Sequence, residues 1–162
     1  MRVRPARASE AAALSQLALD SKGVWGYEAA FLERCRQELA VTPADIGRLV
    51  VEVAEPDAGG APLGFYVLDA ADPGARLDKL YVAAGWVRRG IGRALWEAAR
   101  QRAALAGAES LTWDADPHAV PFYRRMGAVQ VGWAPSGSIP GRQLPLMRVT
   151  LPHPTGQEAS SS

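Results

Sequence analysis

Two glycines and three arginines fall within one short segment, residues 88–93, and together they could bind a phosphate group. Gly90 and Gly92 stand where a strand-like run gives way to a helical pattern. Without side chains there, backbone N–H groups of the first helical turn can close directly on an anion, which the positive end of the helix also favours. Three cationic residues accompany them: Arg88, Arg89 and Arg93. Such a turn predicts a pyrophosphate site.

The glycine spacing alone is weak evidence, because small residues also begin helices for the sake of close packing. Two nucleotide-binding templates can be compared with this turn. A P-loop requires Lys followed by Ser or Thr after its second glycine, and this turn has neither. A dinucleotide fingerprint requires a third glycine or alanine where this chain has Leu95. Neither template fits.

The elements that must position this turn can be predicted from periodicity and turn residues. Seven strand-like runs cover residues 2–6, 48–54, 63–69, 77–83, 110–113, 129–133 and 144–151. Helical patterns cover residues 9–23, 27–39, 89–105 and 116–127. The short connections at residues 57–60 and 72–74 are typical of antiparallel hairpins.

Several residues mark where these helices begin and end. Ser9 is a candidate N-cap for the first helix, and Thr42 followed by Pro43 has the pattern of a cap with Pro in the first turn. Asp116-Pro117 gives a second start signal of this kind, and glycines at 107 and 127 are placed to end helices.

This element order predicts an α/β (α+β mixed) domain over residues 1–151. It has a central mixed, mostly antiparallel sheet of about seven strands flanked by about four helices. No internal repeat is present. Residues 152–162 have little to bury and are expected to be a disordered tail.

The composition narrows the functional classes. The 162 residues include 18 Lys and Arg against 17 Asp and Glu, so no global field favours a nucleic acid or an anionic membrane as partner. No apolar stretch approaches the roughly 20 residues of a membrane span. The single cysteine, Cys35, falls on an apolar helical face and is expected to be a packing residue. We expect a cytoplasmic protein with no metal site.

The strand and turn resemble the cofactor motif of the GCN5-related N-acetyltransferase (GNAT) superfamily. That motif is a Leu-x-Val strand followed by Gln/Arg-x-x-Gly-x-Gly/Ala. Leu80 and Val82 match the strand, and Gly90 and Gly92 match the two small positions. Val87 stands where the family usually has Gln or Arg, a mild departure because backbone amides do most of the binding there.

A second segment, residues 116–127, resembles the superfamily's Asn-x-x-Ala-x-x-Phe-Tyr-x-x-x-Gly-Phe motif. Ala119, Phe122 and Tyr123 match, whereas Asp116 replaces the Asn and Ala128 replaces the last Phe. Both motifs occur in the right order and at the right separation. Residues 136–147 also resemble a bacterial branch of these enzymes.

The resemblance implies acetyl-CoA as co-substrate. The residues that it assigns to the cofactor are Leu80, Tyr81, Val82, Arg88, Arg89, Gly90, Ile91, Gly92, Arg93, Asp116, Ala119 and Phe122. Backbone amides around Tyr81 and Val82 would polarise the acetyl carbonyl, and the same strand edge would pair with the pantetheine arm.

The catalytic roles follow from the chemistry that the resemblance implies. Tyr123 stands at the family's catalytic tyrosine, and a phenol with an ordinary pKa of about 10 can protonate a departing thiolate. Asp78 and Glu52 are candidate general bases, although either could be a solvated or salt-bridged strand carboxylate. The acceptor pocket is expected to include Trp25, Tyr27 and Tyr66, whose aromatic rings core packing would explain about as well.

We therefore predict direct acetyl transfer from acetyl-CoA to a primary amine of a small molecule or peptide, in a ternary complex without a covalent intermediate. The alternative is a non-catalytic acyl-CoA-binding or sensing module, and a nucleotide-binding domain ranks below both. The sequence does not identify the amine. Dimers are common in this superfamily, so the resemblance leaves room for a homodimer.

Overall fold

Seven strands form a single sheet in the computed structural model, which describes residues 1–71 and 74–152. The strands are β1 Arg2–Pro5, β2 Val50–Glu55, β3 Gly64–Asp69, β4 Ala75–Val82, β5 Ser110–Asp114, β6 Val129–Pro135 and β7 Gln143–Thr150. They lie in the order β1-β2-β3-β4-β5-β7-β6, and every neighbouring pair is antiparallel except β4 with β5. The predicted mixed, mostly antiparallel sheet is confirmed.

Five α-helices accompany the sheet in the described part of the chain. They are α1 Ala11–Gly23, α2 Ala29–Leu39, α3 Pro43–Arg48, α4 Ile91–Leu105 and α5 Val120–Arg125, with short 3-10 turns at Ala8–Glu10 and Pro117–Ala119. The additional helix is α3, which grows from the predicted cap. The Thr42 side chain accepts a hydrogen bond from the Asp45 N–H at 3.1 Å, and Pro43 opens the helix. β2 therefore begins at Val50 rather than at Arg48.

The first helix begins differently from the prediction. Ser9 lies inside the 3-10 turn and does not cap the helix. Glu10 ends that turn and closes its capping box, because its Oε1 accepts the Arg7 backbone N–H at 2.8 Å, and α1 follows without a side-chain cap. The turn predicted at residues 72–74 and nearly all of the predicted tail lie outside the described residues.

Strand alternation divides the core into two clusters. Val53 and Phe65 pack in a cluster with residues of α1 and α2, where Cys35 is also buried. Tyr66 and Leu68 point to the opposite face of β3 and belong to the cluster that contains the apolar face of α4. The sheet thus carries α1 and α2 on one face and α4 on the other.

β4 and β5 are joined over a short stretch only. Ala75 and Arg76 pair with Leu111 and Thr112, and no further register pairs follow. A β-bulge in β4 comes next, where Asp78 is the residue without a partner on β3. Because a bulge bends its strand, β4 diverges from β5 beyond this point and leaves one backbone edge open.

No helix in the described ranges combines the length and apolar character needed to cross a bilayer. The same residues contain no group of three or more His, Cys, Asp or Glu side chains arranged to hold a metal ion.

Candidate active site

The divergence of β4 from β5 opens a cleft of about 830 Å³. One wall is the β4 edge, including Leu80, Tyr81 and Val82. The opposite wall runs from the end of β5 into α5 and includes Ala119 and Phe122. The turn before α4 closes one end, so the elements of both sequence motifs meet in a single cavity.

The turn before α4 has the backbone of an anion-binding loop. Arg88 (φ 63°) and Gly90 (φ 80°) are both left-handed, and Arg88 is the one non-glycine residue with positive φ in the described ranges. Such alternation turns successive N–H groups to one side, at a cost for Arg88 of about 1–2 kcal/mol. A Cβ on Gly90 would meet nothing within 4 Å, so its backbone angle, not crowding, requires glycine.

Helix α4 adds unpaired donors to this loop. Its first intrahelical bond runs from the Ala94 N–H to the Gly90 carbonyl at 3.1 Å, so the N–H groups of residues 91–93 have no partner within the helix. Gly92 lines the cleft directly. Ile91 has its side chain buried in the core and contributes only its N–H at this end.

Three arginines line the cleft, but they are not the three expected. Arg88 and Arg93 are among them, and the third is Arg125, at the end of α5. Arg89 instead stacks on the Trp86 ring, 5.0 Å from its centroid, and does not line the cleft. Arg89 is thus the one of the three predicted arginines that lies outside the cleft lining.

Tyr123 lines the cleft as a buried phenol, 6% exposed. Its ring packs against Trp96, Trp113 and Phe122 at centroid distances of 5.6, 4.9 and 5.1 Å. Within the described residues, its hydroxyl has no hydrogen-bond partner. Burial raises the pKa of this phenol above its ordinary value, so it stays protonated at neutral pH.

Of the two predicted bases, only Asp78 lies in the cleft. It is the bulged residue of β4, and its nearest counter-charge is Arg76 Nε at 3.6 Å. Burial raises the pKa of Asp78 above its ordinary value, against the lowering effects of Lys79 and Arg76. A carboxyl group shifted in this direction becomes a stronger proton acceptor when it is ionised.

Glu52 and Tyr66, predicted as a base and as an acceptor-site residue, lie outside the cleft. They are cross-strand partners on β2 and β3, on the α4 side of the sheet, and neither lines the cleft. Tyr66 donates a short hydrogen bond to the Glu52 carboxylate, which also pairs with Arg102 Nη2 at 3.1 Å. A carboxylate held in this way is a structural anchor for α4.

Asp116 is the centre of a polar cluster on the cleft wall. It accepts hydrogen bonds from Lys22 Nζ at 3.0 Å, from the Tyr27 hydroxyl at 2.9 Å and from the His118 N–H at 2.9 Å, and this last bond caps the Pro117–Ala119 turn. Burial acts to raise the pKa of Asp116, but Lys22 and these hydrogen bonds lower it overall. The cluster ties α1 to the start of α5.

The aromatic residues between α1 and α2 have different roles. Trp25 lines the cleft and stacks on His118, with ring centroids 5.1 Å apart. Tyr27 is not in the lining of the cleft and stands behind its wall, where it stacks on Phe31 and donates a hydrogen bond to Asp116. Trp25 therefore belongs to the cleft lining, whereas Tyr27 positions other groups.

A smaller chamber of about 210 Å³ shares part of its lining with the cleft, including Asp78, Lys79 and Tyr81. The connection between β6 and β7 covers it, contributing Ser136, Ser138 and Arg142. This chamber was not predicted, because the segment that covers it has the composition of an ordinary loop. Sequence reasoning also missed Lys22, Lys79, Trp113, Asp114 and Arg125 as lining residues.

Comparison with known proteins agrees with this geometry. A family model described as an acetyltransferase (GNAT) domain matches residues 26–136, more than half of the chain. A comparison with curated proteins gives no match.

Solved structures share the fold over nearly the whole chain. A GCN5-related N-acetyltransferase from Rhodopseudomonas palustris is 25% identical, with a TM-score of 0.77 over 93% of this chain and 95% of the other. PaiA N-acetyltransferase from Thermoplasma acidophilum, solved with coenzyme A, is 17% identical, with a TM-score of 0.71 over 92% and 98%. The ribosomal-protein-S18-alanine N-acetyltransferase from Escherichia coli is 14% identical, with a TM-score of 0.68 over 97% of each chain. With the family model, the shared fold and the cleft in agreement, this chain belongs to the GNAT acetyltransferase family.

Proposed function

We propose that this protein is an N-acetyltransferase that moves an acetyl group from acetyl-CoA to a primary amine by direct attack in a ternary complex. One observation carries the proposal. The cleft joins an anion-binding turn, an open strand edge and a buried, protonated phenol without a hydrogen-bond partner in the described residues.

The chain's own groups fit a CoA ester. Donors at the start of α4 and the guanidinium groups of Arg88, Arg93 and Arg125 suit a pyrophosphate and a further phosphate. The β4 edge suits the amide-bearing pantetheine arm, which can pair with it as an added strand. When bound, acetyl-CoA supplies an activated thioester.

The direction of the β4 amides assigns their roles. The Ala83 N–H donates a hydrogen bond of 2.8 Å to the carbonyl of Leu63, the residue just before β3, so this N–H faces the β3 side. Because N–H directions alternate along a strand, the Val82 N–H faces the cleft and the Tyr81 N–H faces β3. Val82 is therefore the residue whose amide would polarise the acetyl carbonyl, which narrows the pair expected from the sequence.

Two side chains handle the protons. Asp78 accepts a proton from the attacking amine, directly or through a water molecule, as the new C–N bond forms. Tyr123 donates its hydroxyl proton to the sulfur as the C–S bond breaks, and it recovers a proton from solvent after release. No side chain forms a covalent bond with the acetyl group in this scheme.

Replacing Tyr123 with Phe tests the acid role. The ring packing survives and only the hydroxyl is lost, so we expect kcat to fall about 100-fold or more while the Kd for acetyl-CoA changes less than about threefold. Thiol release measures turnover and calorimetry measures binding. Tyr66→Phe is the matched control, because it removes a buried hydroxyl that lines neither the cleft nor the smaller chamber, and it should leave turnover within about twofold.

Each outcome has a distinct meaning. Unchanged turnover in the Tyr123 variant would remove that residue from the mechanism. Tight acetyl-CoA binding without CoA release across a broad amine panel would favour a non-catalytic acyl-CoA-binding module instead. Failure to bind acetyl-CoA at all would overturn the proposed function.

A further inference from the structure

We propose that the acceptor is a small amine that carries its own carboxylate, as an α-amino acid does, with the carboxylate bound by Arg142 and the amine facing Asp78. The inference rests on the proposed function, since it names the acceptor class for the same site. It is carried by the charges and contacts of the 210 Å³ chamber beside the cleft.

The chamber lining carries balanced charge. Its eight charged residues are Glu38, Asp78, Asp114 and Asp116, and Lys22, Arg76, Lys79 and Arg142. Four carboxylates against four cations give no net attraction for a polycation such as a polyamine. A ligand with one charge of each sign matches such a lining better.

Pairing within the lining leaves some of these groups available. Arg76 Nη2 pairs with Asp114 at 2.8 Å, and Lys22 pairs with Asp116 at 3.0 Å. Among the described residues, neither Lys79 nor Arg142 has a carboxylate oxygen within 4.0 Å. The chamber therefore offers two cations without an anionic partner.

Arg142 is held ready for a planar anion. Its guanidinium lies 4.9 Å from the Phe31 ring centroid and 5.5 Å from that of Tyr27, and its Nη2 donates to the Tyr27 hydroxyl at 3.1 Å. Stacking fixes the plane of the group and leaves its other N–H donors for a ligand. A fixed guanidinium fork matches a carboxylate in a bidentate geometry.

The loop that carries Arg142 is fixed against α2. Ser138 donates a short hydrogen bond to Glu38, and a Cβ on Gly137 would lie 2.8 Å from Glu38 Oε1. The Glu38 carboxylate therefore lies directly against the loop backbone. The chamber wall is thus fixed before any ligand arrives, which lowers the cost of binding.

The arrangement also sets the direction of the ligand. Arg142 lines the chamber but not the cleft, whereas Asp78 and Tyr81 line both. A carboxylate at Arg142 therefore leaves the amine at the junction, next to the proposed base. The chamber volume lies below the range of about 300–1,000 Å³ that holds drug-sized ligands, which favours an acceptor of amino-acid size.

The test compares the free α-amino acids with their primary amides, which keep the amine and lose the carboxylate charge. Putrescine and spermidine serve as amines without a carboxylate. Affinity is measured by calorimetry with and without saturating CoA, and KM by thiol release from acetyl-CoA. Kd and KM are compared rather than kcat, because amidation also changes the basicity of the amine.

We expect at least one amino acid to bind roughly 10- to 100-fold more tightly than its amide, the range for a charge-assisted bidentate contact. Arg142→Gln should remove this preference, and Arg142→Lys should keep part of it. Arg148→Gln is the matched control, because Arg148 is exposed on β7 and lines neither cavity. Circular dichroism checks that each variant is folded. If Arg142→Gln does not fold, the preference for acid over amide is tested with Arg142→Lys instead.

Amides or polyamines that bind as well as the acids would overturn the acceptor class while acetyl transfer stands. The absence of amino-acid binding to the CoA complex at about 10 mM would overturn it as well. Amino-acid binding without acetyl-CoA binding would support the chamber chemistry and overturn the proposed function.

Discussion

Replacing Asp116 with Asn tests whether its ion pair with Lys22 stabilises the fold. The side chains are 14% and 11% exposed, so the pair is largely shielded from water. Asn keeps the size of the residue and an oxygen for the Tyr27 and His118 donors, and it removes only the charge. The GNAT motif usually has a neutral Asn at this position. Here the residue is a charged Asp, and Lys22 supplies the opposite charge.

The expected cost follows from the burial of Lys22. Removing one partner of a buried pair costs about 3–5 kcal/mol, because the other charge stays buried without compensation. The lower end applies here, since Lys22 Nζ also lies 5.3 Å from the Tyr27 ring centroid and 5.9 Å from that of Phe31. We expect a loss of about 3 kcal/mol, which for a chain of this length lowers Tm by about 6–12 °C.

The pH dependence has a definite sign. The folded protein holds the pKa of Asp116 below its ordinary value of 3.8, so the stabilisation is present above that value and is lost as pH falls through the folded pKa. The difference in unfolding free energy between the wild type and the variant should therefore be full at neutral pH. It should shrink in acid, below pH 3.8.

Urea unfolding across this pH range measures the effect. The double variant Lys22→Met with Asp116→Asn is the control, because removing both charges should recover most of the loss. A single variant within about 0.5 kcal/mol of wild type at neutral pH would refute the reasoning, as would a loss that persists in acid.

Further predictions concern the proposed base and the anion-binding turn. The wild-type kcat/KM should rise with pH as Asp78 deprotonates, at a pKa above 3.8, and Asp78→Asn should be slower and lack this acid limb. Gly90→Ala should cost about 1–2 kcal/mol in urea unfolding because of its left-handed φ, whereas Gly92→Ala should cost nothing and weaken CoA binding measured by calorimetry. Arg125→Gln should weaken CoA binding in a salt-sensitive way, and Arg89→Gln should leave the Kd within about twofold, since Arg89 stacks on the surface.

Local signals in the sequence were reliable where one residue decides the geometry. Thr42 and Asp116 cap the turns predicted for them, and Gly107 and Gly127 adopt the positive φ of helix ends. The prediction for Ser9 was wrong because Ser9 lies inside a 3-10 turn, in which Glu10 accepts the Arg7 N–H. Such a turn before a helix depends on side-chain geometry that spacing does not specify.

The site was harder to predict because it depends on which face of the sheet each residue occupies. Glu52 and Tyr66 are strand residues of suitable chemistry, but the sequence does not tell which helices cover their face. The bulge at Asp78 leaves no compositional mark, and yet the bulged residue lines the cleft. Arg142 enters the site through a long-range contact with α2, beyond the reach of any local pattern.

The short paired stretch between β4 and β5, called the seam here, has a consequence for local opening of the sheet. Only two residue pairs join a sub-sheet of four strands to one of three, so the seam is a weak line for local opening. A ligand that pairs with the free edge of β4 and packs against β5 would connect the two parts of the sheet. Amide hydrogen exchange should then slow in strands on both sides of the seam at once, because the ligand makes two cooperative units behave as one.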